Sequence, residues 1–423
     1  MALVWRNYNF RIYPTKEQEK LLDQLFSCTR FVYNHYVEIG KRVFESEGRY
    51  PTHYENMSTL ALLVKHNPFL QETDRESLPF AIHNLERAYM NHANKKDYCP
   101  PRYKSKNDGH QSYMTKYIKG SKLIANSKIN LPVVGAVPIV VHRPIARYFR
   151  PLCVTVIRKP SMTYEVSIAL YAPDYLYKKD ATLRRVAEAQ KNIMENMDNG
   201  DSSVVGRKTA MENMVNEDAT VNVAAKTDVR SIGLDFSMPD LLIDSEGHSA
   251  GYPHYYKQQL LRLSKEQRKL SHCKRGSHNY QKQRVHTARL MNKCASQRLD
   301  FQHKLSRQIS DQYDLVCIED LAIKQLITNT KFGKSAYDDS WYQFVQMMKY
   351  KLNESGGHLQ KVGRWFPSSR LCSRCGQVKK QLSLDDRTYH CSCGFTESRD
   401  VNAAINIKKE GERLYRLGAT IIH

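Results

Sequence analysis

The chain has 423 residues, long enough for two or three domains, and carries 65 Lys and Arg against 43 Asp and Glu for a formal charge of +22. That balance implies a polyanionic partner, and nucleic acid fits better than a membrane because no apolar run reaches the roughly 18 residues a spanning helix requires. The N-terminal MALVWRNYNFRIYPTKEQEK has no uninterrupted apolar stretch of the secretory type, so the ten cysteines are expected in a reducing, cytoplasmic compartment.

In chain order, residues 3–13 alternate bulky and polar side chains (Val4, Trp5, Tyr8, Phe10, Ile12), the pattern of a half-buried strand, and Pro14 ends it. Thr15 reads as the N-cap of a helix carrying Leu21, Leu22, Leu25, Phe26, Phe31, Val32 and Val37 at helical spacing. Further helices are expected from about Ser58 to Lys65 and from about Leu78 to His92, with Pro51, Pro68 and Pro79 breaking the block into short pieces. Arg30, Tyr33, Asn34, Tyr36, Lys41 and Arg42 mix rings with polar and basic groups, as a surface that stacks on bases would, or as a solvated face over an aromatic core would.

After Cys99-Pro100-Pro101 and RYKSK, a polar turn at Asn107-Asp108-Gly109 leads into β-branched runs that continue to about Ala172. They predict a small antiparallel barrel or sheet, paired with the N-terminal strand and holding the helical block as an insertion. Residues 181–230 have no aromatic side chain and balance seven basic against eight acidic groups, which predicts a helix to about Met197 followed by a flexible connector.

The second part opens on SIGLDFSMPDLLID, an apolar strand with one carboxylate, Asp235, and then an antiparallel partner. An acid inside an apolar strand is costly unless a metal or a basic group pairs with it. Tyr313 to Ile318 make another apolar strand that ends in Glu319 and Asp320. With Asp400 at a predicted helix start, these acids are candidates to converge on divalent cations. Hard oxygen ligands select Mg2+ or Mn2+, and a pair of such ions suits phosphodiester hydrolysis. Between the acids, residues 257–307 hold fourteen Lys and Arg but only Glu266 and Asp300 as acids, in two predicted helices turned at CKRGSHN. That charge is either a solvated face or a track for a nucleic-acid backbone.

Four of the cysteines are paired: Cys372 and Cys375, then fifteen residues, then Cys391 and Cys393. This is close to the spacing of a structural zinc site, and a glycine after each pair permits the knuckle turn. The second pair is one residue short, so His390 is an alternative donor, and four free thiols are the other alternative. Four thiolates leave no open position, so the ion would be structural and would fix Arg399 and Asp400. Cys28, Cys99, Cys153, Cys273, Cys294 and Cys317 are expected as ordinary small hydrophobes.

The order GLDFS, QRLDFQHKLS, IEDL, CSRCG, CSCG and RDVNAAINI resembles TnpB, the RNA-guided nuclease family of small bacterial insertion sequences, related to compact type V CRISPR effectors. The N-terminal FRIYPTKEQEKLLDQLFSCTRFVYN and PRYKSK carry the same resemblance, which touches nearly all of the chain outside residues 181–230. It implies an α+β multidomain protein: a RuvC-like nuclease domain of RNase H fold with an inserted zinc ribbon, after an N-terminal β-barrel wedge domain holding a helical recognition block. The boundaries expected are 1–13 for the wedge strand, 14–100 for the recognition block and 101–180 for the barrel. Residues 181–230 form the connector, 231–365 the nuclease part with its basic helices, 366–396 the ribbon and 397–423 the closing helix and tail.

By resemblance, Asp235, Glu319 and Asp400 match the catalytic acids that hold Mg2+, Arg399 matches a residue on the scissile phosphate, and Cys372, Cys375, Cys391 and Cys393 hold zinc. The implied partners are a guide RNA and target double-stranded DNA, with one or two copies of the chain on each RNA in a bacterial cytoplasm. Residues from about Ser77 to Asn84, with Gln111 and Ser112, are expected to read a short motif flanking the target. A repressor that binds without cutting and a CRISPR-associated effector of the same fold are the alternatives. The C-x-C pair and the long acidic 181–230 stretch depart from the family pattern.

Overall fold

The computed structural model describes residues 3–94, 99–116, 124–125, 127–177, 229–321, 340–383 and 386–418. The helix and connector expected over 181–230 lie outside them, apart from residues 229 and 230. The chain divides into two compact units, Met1–Asp174 with Lys269–Arg289, and Tyr175–Arg268 with Leu290–His423.

In the first unit, β1 (Leu3–Ile12) leads into α1 (Lys16–Glu47). Thr15 caps α1 reciprocally with Gln18, each backbone N–H donating to the other's side chain, and Gly48 closes it at φ 69° with its N–H on the Phe44 carbonyl. Thirty-two unbroken residues exceed the short pieces expected, because the first proline after Pro14 is Pro51, beyond the cap. α2 (His53–His66) begins five residues before its apolar periodicity does, since a Thr52–Glu55 capping box nucleates a polar first turn. α3 (Ser77–Asn94) contains Pro79 in its first turn, where a missing N–H costs no helical bond, so this proline does not interrupt the helix. Tyr33 and Tyr36 are core residues packed with Ile82, Leu85 and Tyr89 of α3. Asn34 exchanges two hydrogen bonds with the Lys104 backbone at 2.8 and 2.9 Å. Tyr33 and Tyr36 therefore hold the helical block together, and Asn34 ties it to the segment that follows.

Six more strands follow: β2 (Gln111–Lys116), β3 (Ile124–Ala125), β4 (Lys128–Leu131), β5 (Gly135–Val140), β6 (Arg150–Arg158) and β7 (Tyr164–Pro173). With β1 they form one antiparallel sheet in the order β2-β6-β7-β1-β5-β4-β3. β1 pairs along its whole length with β7, from Leu3 opposite Pro173 to Ile12 opposite Tyr164, so the three helices are an insertion between strands of one sheet. Alternation puts Phe10, Ile12, Val166, Ile168 and Leu170 in the core.

The second unit is built on β8 (Ser231–Ser237), β9 (Leu241–Asp244), β10 (Leu315–Glu319) and β11 (His358–Val362), in the order β11-β10-β8-β9. β10 runs parallel to both β8 and β11, while β9 is antiparallel to β8. α4 (Tyr255–His272) and α5 (His278–Gln312) follow β9, with the turn between them at Gly276, φ 85°. α6 (Trp341–Glu354) covers one face of the sheet, packing Trp341, Phe344, Met348 and Leu352 on Ile232, Leu234, Val316 and Ile318. α7 (Arg399–Arg416) belongs to the other face, where Ile407 packs with Leu315, Cys317 and Val362. The basic stretch is partly structural: Arg307 pairs with Glu354 at 3.0 Å, Arg284 donates to the Asn107 carbonyl and Arg289 to that of Ser161.

Gly233 sets how closely α7 lies on β8. A Cβ there would collide with the Ala404 carbonyl and meet the Lys408 nitrogen at 2.7 Å, both backbone atoms of α7. Gly233→Ala is expected to push the helix off the sheet and cost about 2–4 kcal/mol or more, as overpacking against rigid backbone does. Thermal unfolding checks it; an unchanged Tm would show that α7 is not seated as described.

Candidate functional site

The acids converge through two periodicities. Along β8, Ile232 and Leu234 point into the α6 core, so Ser231, Gly233 and Asp235 take the α7 face. Along β10, Val316 and Ile318 enter the same core, and Leu315, Cys317 and Glu319 take the α7 face. The strands are parallel with Ile318 opposite Leu234, so one further step sets Glu319 beside Asp235. On α7, Ala404 lies over Gly233, Gly411 over Cys317, and the Glu412 carboxylate takes the Ser231 hydroxyl. Asp400, one turn before Ala404, is thereby carried to the end of β8 where Asp235 sits.

The electrostatics agree with that placement. Burial, then the carboxylates of Glu319 and Asp400, push Asp235 well above the ordinary carboxylate range, against the opposing pull of Arg399 and the Phe236 N–H. Burial and the neighbouring Asp320 raise Glu319 to about 7. Acids held together in a partly desolvated edge are the arrangement a cation would relieve. The three carboxylates do not close to within 4.8 Å of one another as a single-ion cage would.

The two adjacent acids at the end of β10 have different fates. Asp320 points away from Glu319 by strand alternation and is held by Lys361 at 2.8 Å and Arg364 at 3.7 Å. Its charge is already met, which leaves Glu319 as the acid of the pair able to take a metal. Lys361 and Arg364 were not singled out from sequence; the basic residues of HLQKVGRW, in and just after the strand that pairs with β10, were the available signal.

Arg399 follows directly from β13 (Thr396–Ser398), which pairs antiparallel with β12 (Thr388–His390). Its N–H donates to the Arg387 carbonyl at 2.9 Å and its guanidinium to the Ser383 carbonyl at 3.1 Å. Two buried asparagines tie α7 to the cysteine-bearing segment. Asn402 accepts from the Ser373 N–H at 3.0 Å and donates to the Leu371 carbonyl, while Asn406 donates to the carbonyls of Ser368 and Leu371 at 2.9 and 2.7 Å. Both lie in RDVNAAINI, where an asparagine every fourth residue on an otherwise apolar face was a readable sign of a buried polar contact.

Cys372, Cys375, Cys391 and Cys393 present sulfurs that all lie within 4.8 Å of one another. Cys372 and Cys393 are 3.8 Å apart and Cys375 and Cys391 3.6 Å. Sulfurs 2.3 Å from a tetrahedral zinc would be separated by about 3.8 Å, so the donor set fits zinc. Gly376 and Gly394 take φ of 77° and 83° in the two knuckles, including the shortened one. A hydrogen bond from the Cys393 backbone, with the neighbouring thiols, lowers Cys391 to about 6. His390 stays outside the cluster, with its Nδ1 3.2 Å from the Thr396 hydroxyl.

The residues singled out for reading a flanking motif are also brought together. Ser77, Ala81 and Asn84 of α3 line a cavity of about 340 Å³ with Lys104, Gln111 and Ser112. Arg30 and His110 border it as well, and neither was singled out with that group.

Three family models match the chain: "Helix-turn-helix domain" of the OrfB_IS605 type over residues 1–49, "Probable transposase" over 213–330, and "Cas12f1-like, TNB domain" over 341–407. The first span holds a strand and a single long helix here. A Streptomyces pristinaespiralis protein named "Putative RNA-guided DNA endonuclease" is 29% identical over 97% of this chain and 90% of its own length. The Escherichia coli protein named "Putative RNA-guided DNA endonuclease InsQ" is 23% identical over 98% and 94%. A mimivirus "TnpB-like protein L79" is 32% identical over 26% of this chain and 22% of its own. A Cas12f1 solved with sgRNA and target DNA shares the fold, with a TM-score of 0.55 at 12% identity over 96% of this chain and 99% of that one. These matches, distributed along its length, make the chain similar to TnpB-type proteins and to proteins named RNA-guided DNA endonucleases.

Proposed function

We propose that the protein is a Mg2+-dependent, RNA-guided DNA endonuclease in which Asp235, Glu319 and Asp400 hold the metal. The observation that carries this reading is the convergence of Asp235 and Asp400 at the end of β8, beside Glu319, with Asp235 raised by burial and by the other two carboxylates and Glu319 raised by burial and by Asp320. The names of the relatives and the RNA and DNA bound by the Cas12f1 of similar fold point the same way. On this reading the second unit is a RuvC-like domain, the cysteine segment a zinc ribbon, and the sheet of the first unit a wedge domain with an inserted recognition block. Its boundaries follow the segments 1–13, 14–100, 101–180, 231–365, 366–396 and 397–423.

The metal pair would supply a nucleophilic water and stabilise the leaving oxygen of the phosphodiester. The chain's residues set the stage for it. Asp235 and Glu319 are carried by paired parallel strands, and Asp400 by a helix seated on Gly233. Arg399 offers a cation to the phosphate beside them. The cavity lined by Asn84, Lys104, Gln111 and Ser112 offers donors and acceptors to base edges of the flanking motif. Zinc at the four cysteines would be structural, holding the segment that leads into Asp400.

The test is expression with native flanking DNA, sequencing of the RNA that copurifies, and challenge of the complex with a plasmid library randomised beside a matching target. Cleavage next to one preferred motif supports the reading; a preparation free of RNA at low salt sinks it.

The raised carboxyls also set a pH dependence. In the metal-free protein Glu319 holds its proton up to about 7 and Asp235 is raised as well, so protons must leave when the ions enter. The Mg2+ concentration for half-maximal cleavage is expected to rise as pH falls below about 7, by roughly tenfold per unit for each proton displaced. A Mg2+ requirement unchanged between pH 6 and 8 would show that both acids are already ionised.

A further inference from the structure

α2 and α3 bring together a second group of ligand-type side chains, in the unit that holds neither the acids nor the paired cysteines. His53 sits in the first turn of α2, and His83 and Glu86 lie one turn apart on α3, so all three come from helices whose ends are fixed by packing. The Nδ1 atoms of His53 and His83 lie 3.3 and 3.7 Å from the same oxygen, Oε2 of Glu86. The imidazole rings stand 6.0 Å apart at 88° to each other. One donor atom from each residue falls within 4.8 Å of the other two.

These separations fit a shared ion better than hydrogen bonds. Imidazole N–H donors normally approach a carboxylate at about 2.7–2.9 Å. Nitrogen and oxygen ligands about 2.05 Å from a tetrahedral ion would be about 3.3 Å apart. The His53 Nδ1 is moreover shut off from solvent with no hydrogen bond aligned on it. The nearby Glu55 is taken by Arg49 at 2.9 Å and by Thr52, so it does not compete for the histidines.

We propose that His53, His83 and Glu86 form a second metal site that takes a borderline divalent transition ion, Zn2+ before others, through two imidazoles and a carboxylate. Mixed nitrogen and oxygen donors of this kind suit Zn2+ and its neighbours and not Mg2+. Three protein ligands leave one position for water or an exogenous group. The ion would clip the start of α2 to the middle of α3. Since α3 also carries Ser77, Ala81 and Asn84 on the cavity described above, the clip fixes the rotation of the face that lines it.

The experiment measures bound metal and does not depend on cleavage. The full chain, equilibrated with Zn2+ and freed of loosely held ion, is expected to keep two equivalents. His83→Ala and the milder Glu86→Gln should each lower that to one, and the double variant Cys375→Ser/Cys391→Ser should keep the histidine-bound ion. With Co2+ in place of zinc, His83→Ala should remove a ligand-field band and leave the thiolate charge-transfer band intact. His83 is about half exposed, so its loss leaves the core intact. One equivalent in the native chain, or two that survive both His83→Ala and Glu86→Gln, overturns the proposal.

Discussion

Asp235→Ala is expected to abolish target cleavage while leaving the copurifying RNA bound. On the proposed reading, loss of one metal-holding acid removes several kcal/mol of transition-state stabilisation, which corresponds to roughly 10³-fold or more in rate. RNA binding should survive because Asp235 is a buried acid at a strand end under α7 and offers an RNA backbone no positive charge. Asp235→Asn adds a second, independent readout. The folded carboxyl is raised above its unfolded value, so its contribution to stability is present at low pH and lost as pH rises through the folded pKa. At pH 8 without metal, the acid therefore costs the fold stability, and the uncharged amide should raise Tm. A lower Tm at that pH would identify Asp235 as a structural acid and remove the main support for the nuclease reading.

Much of this site was legible in the sequence because its parts are local. A carboxylate inside IGLDF must take one face of a strand whose other face is buried, and the same holds for LVCIE. The shared face could not be read, because it depends on β8 and β10 being parallel neighbours in register, a pairing across about eighty residues. The distinction between Glu319 and Asp320 was hidden for a similar reason, since Lys361 and Arg364 reach Asp320 from another strand and the loop after it. Pro79 was misjudged as a break because propensity ignores where in a helix a proline falls. Tyr33 and Tyr36 look like stacking platforms in sequence and prove to be core, because aromatic residues on a helix have the same spacing for either purpose. The His53, His83 and Glu86 group had no sequence signal, its members being joined by the packing of α2 on α3.

Loss of the zinc proposed for the four-cysteine segment, by Cys375→Ser with Cys391→Ser, is expected to cost cleavage as completely as loss of an acid, but by a different route. β12 and β13 contribute three residues each to a two-stranded sheet, too little to persist in water without a staple. Structural zinc supplies on the order of 10 kcal/mol in small isolated modules, far more than such a hairpin can replace. α7 should remain on the sheet, since Ala403, Ala404 and Ile407 are buried independently of the ion. What is lost is the approach to its first turn: β13 runs directly into Arg399, and Arg399 is held by the carbonyls of Arg387 and Ser383. The cysteine variant should therefore keep most of its secondary structure by circular dichroism and its bound RNA, yet hold one zinc fewer and fail to cut. Asp400→Ala should match it in cleavage and differ in keeping that zinc. If the cysteine variant cuts normally, Asp400 is positioned by α7 and its two buried asparagines alone, and the segment has some other use.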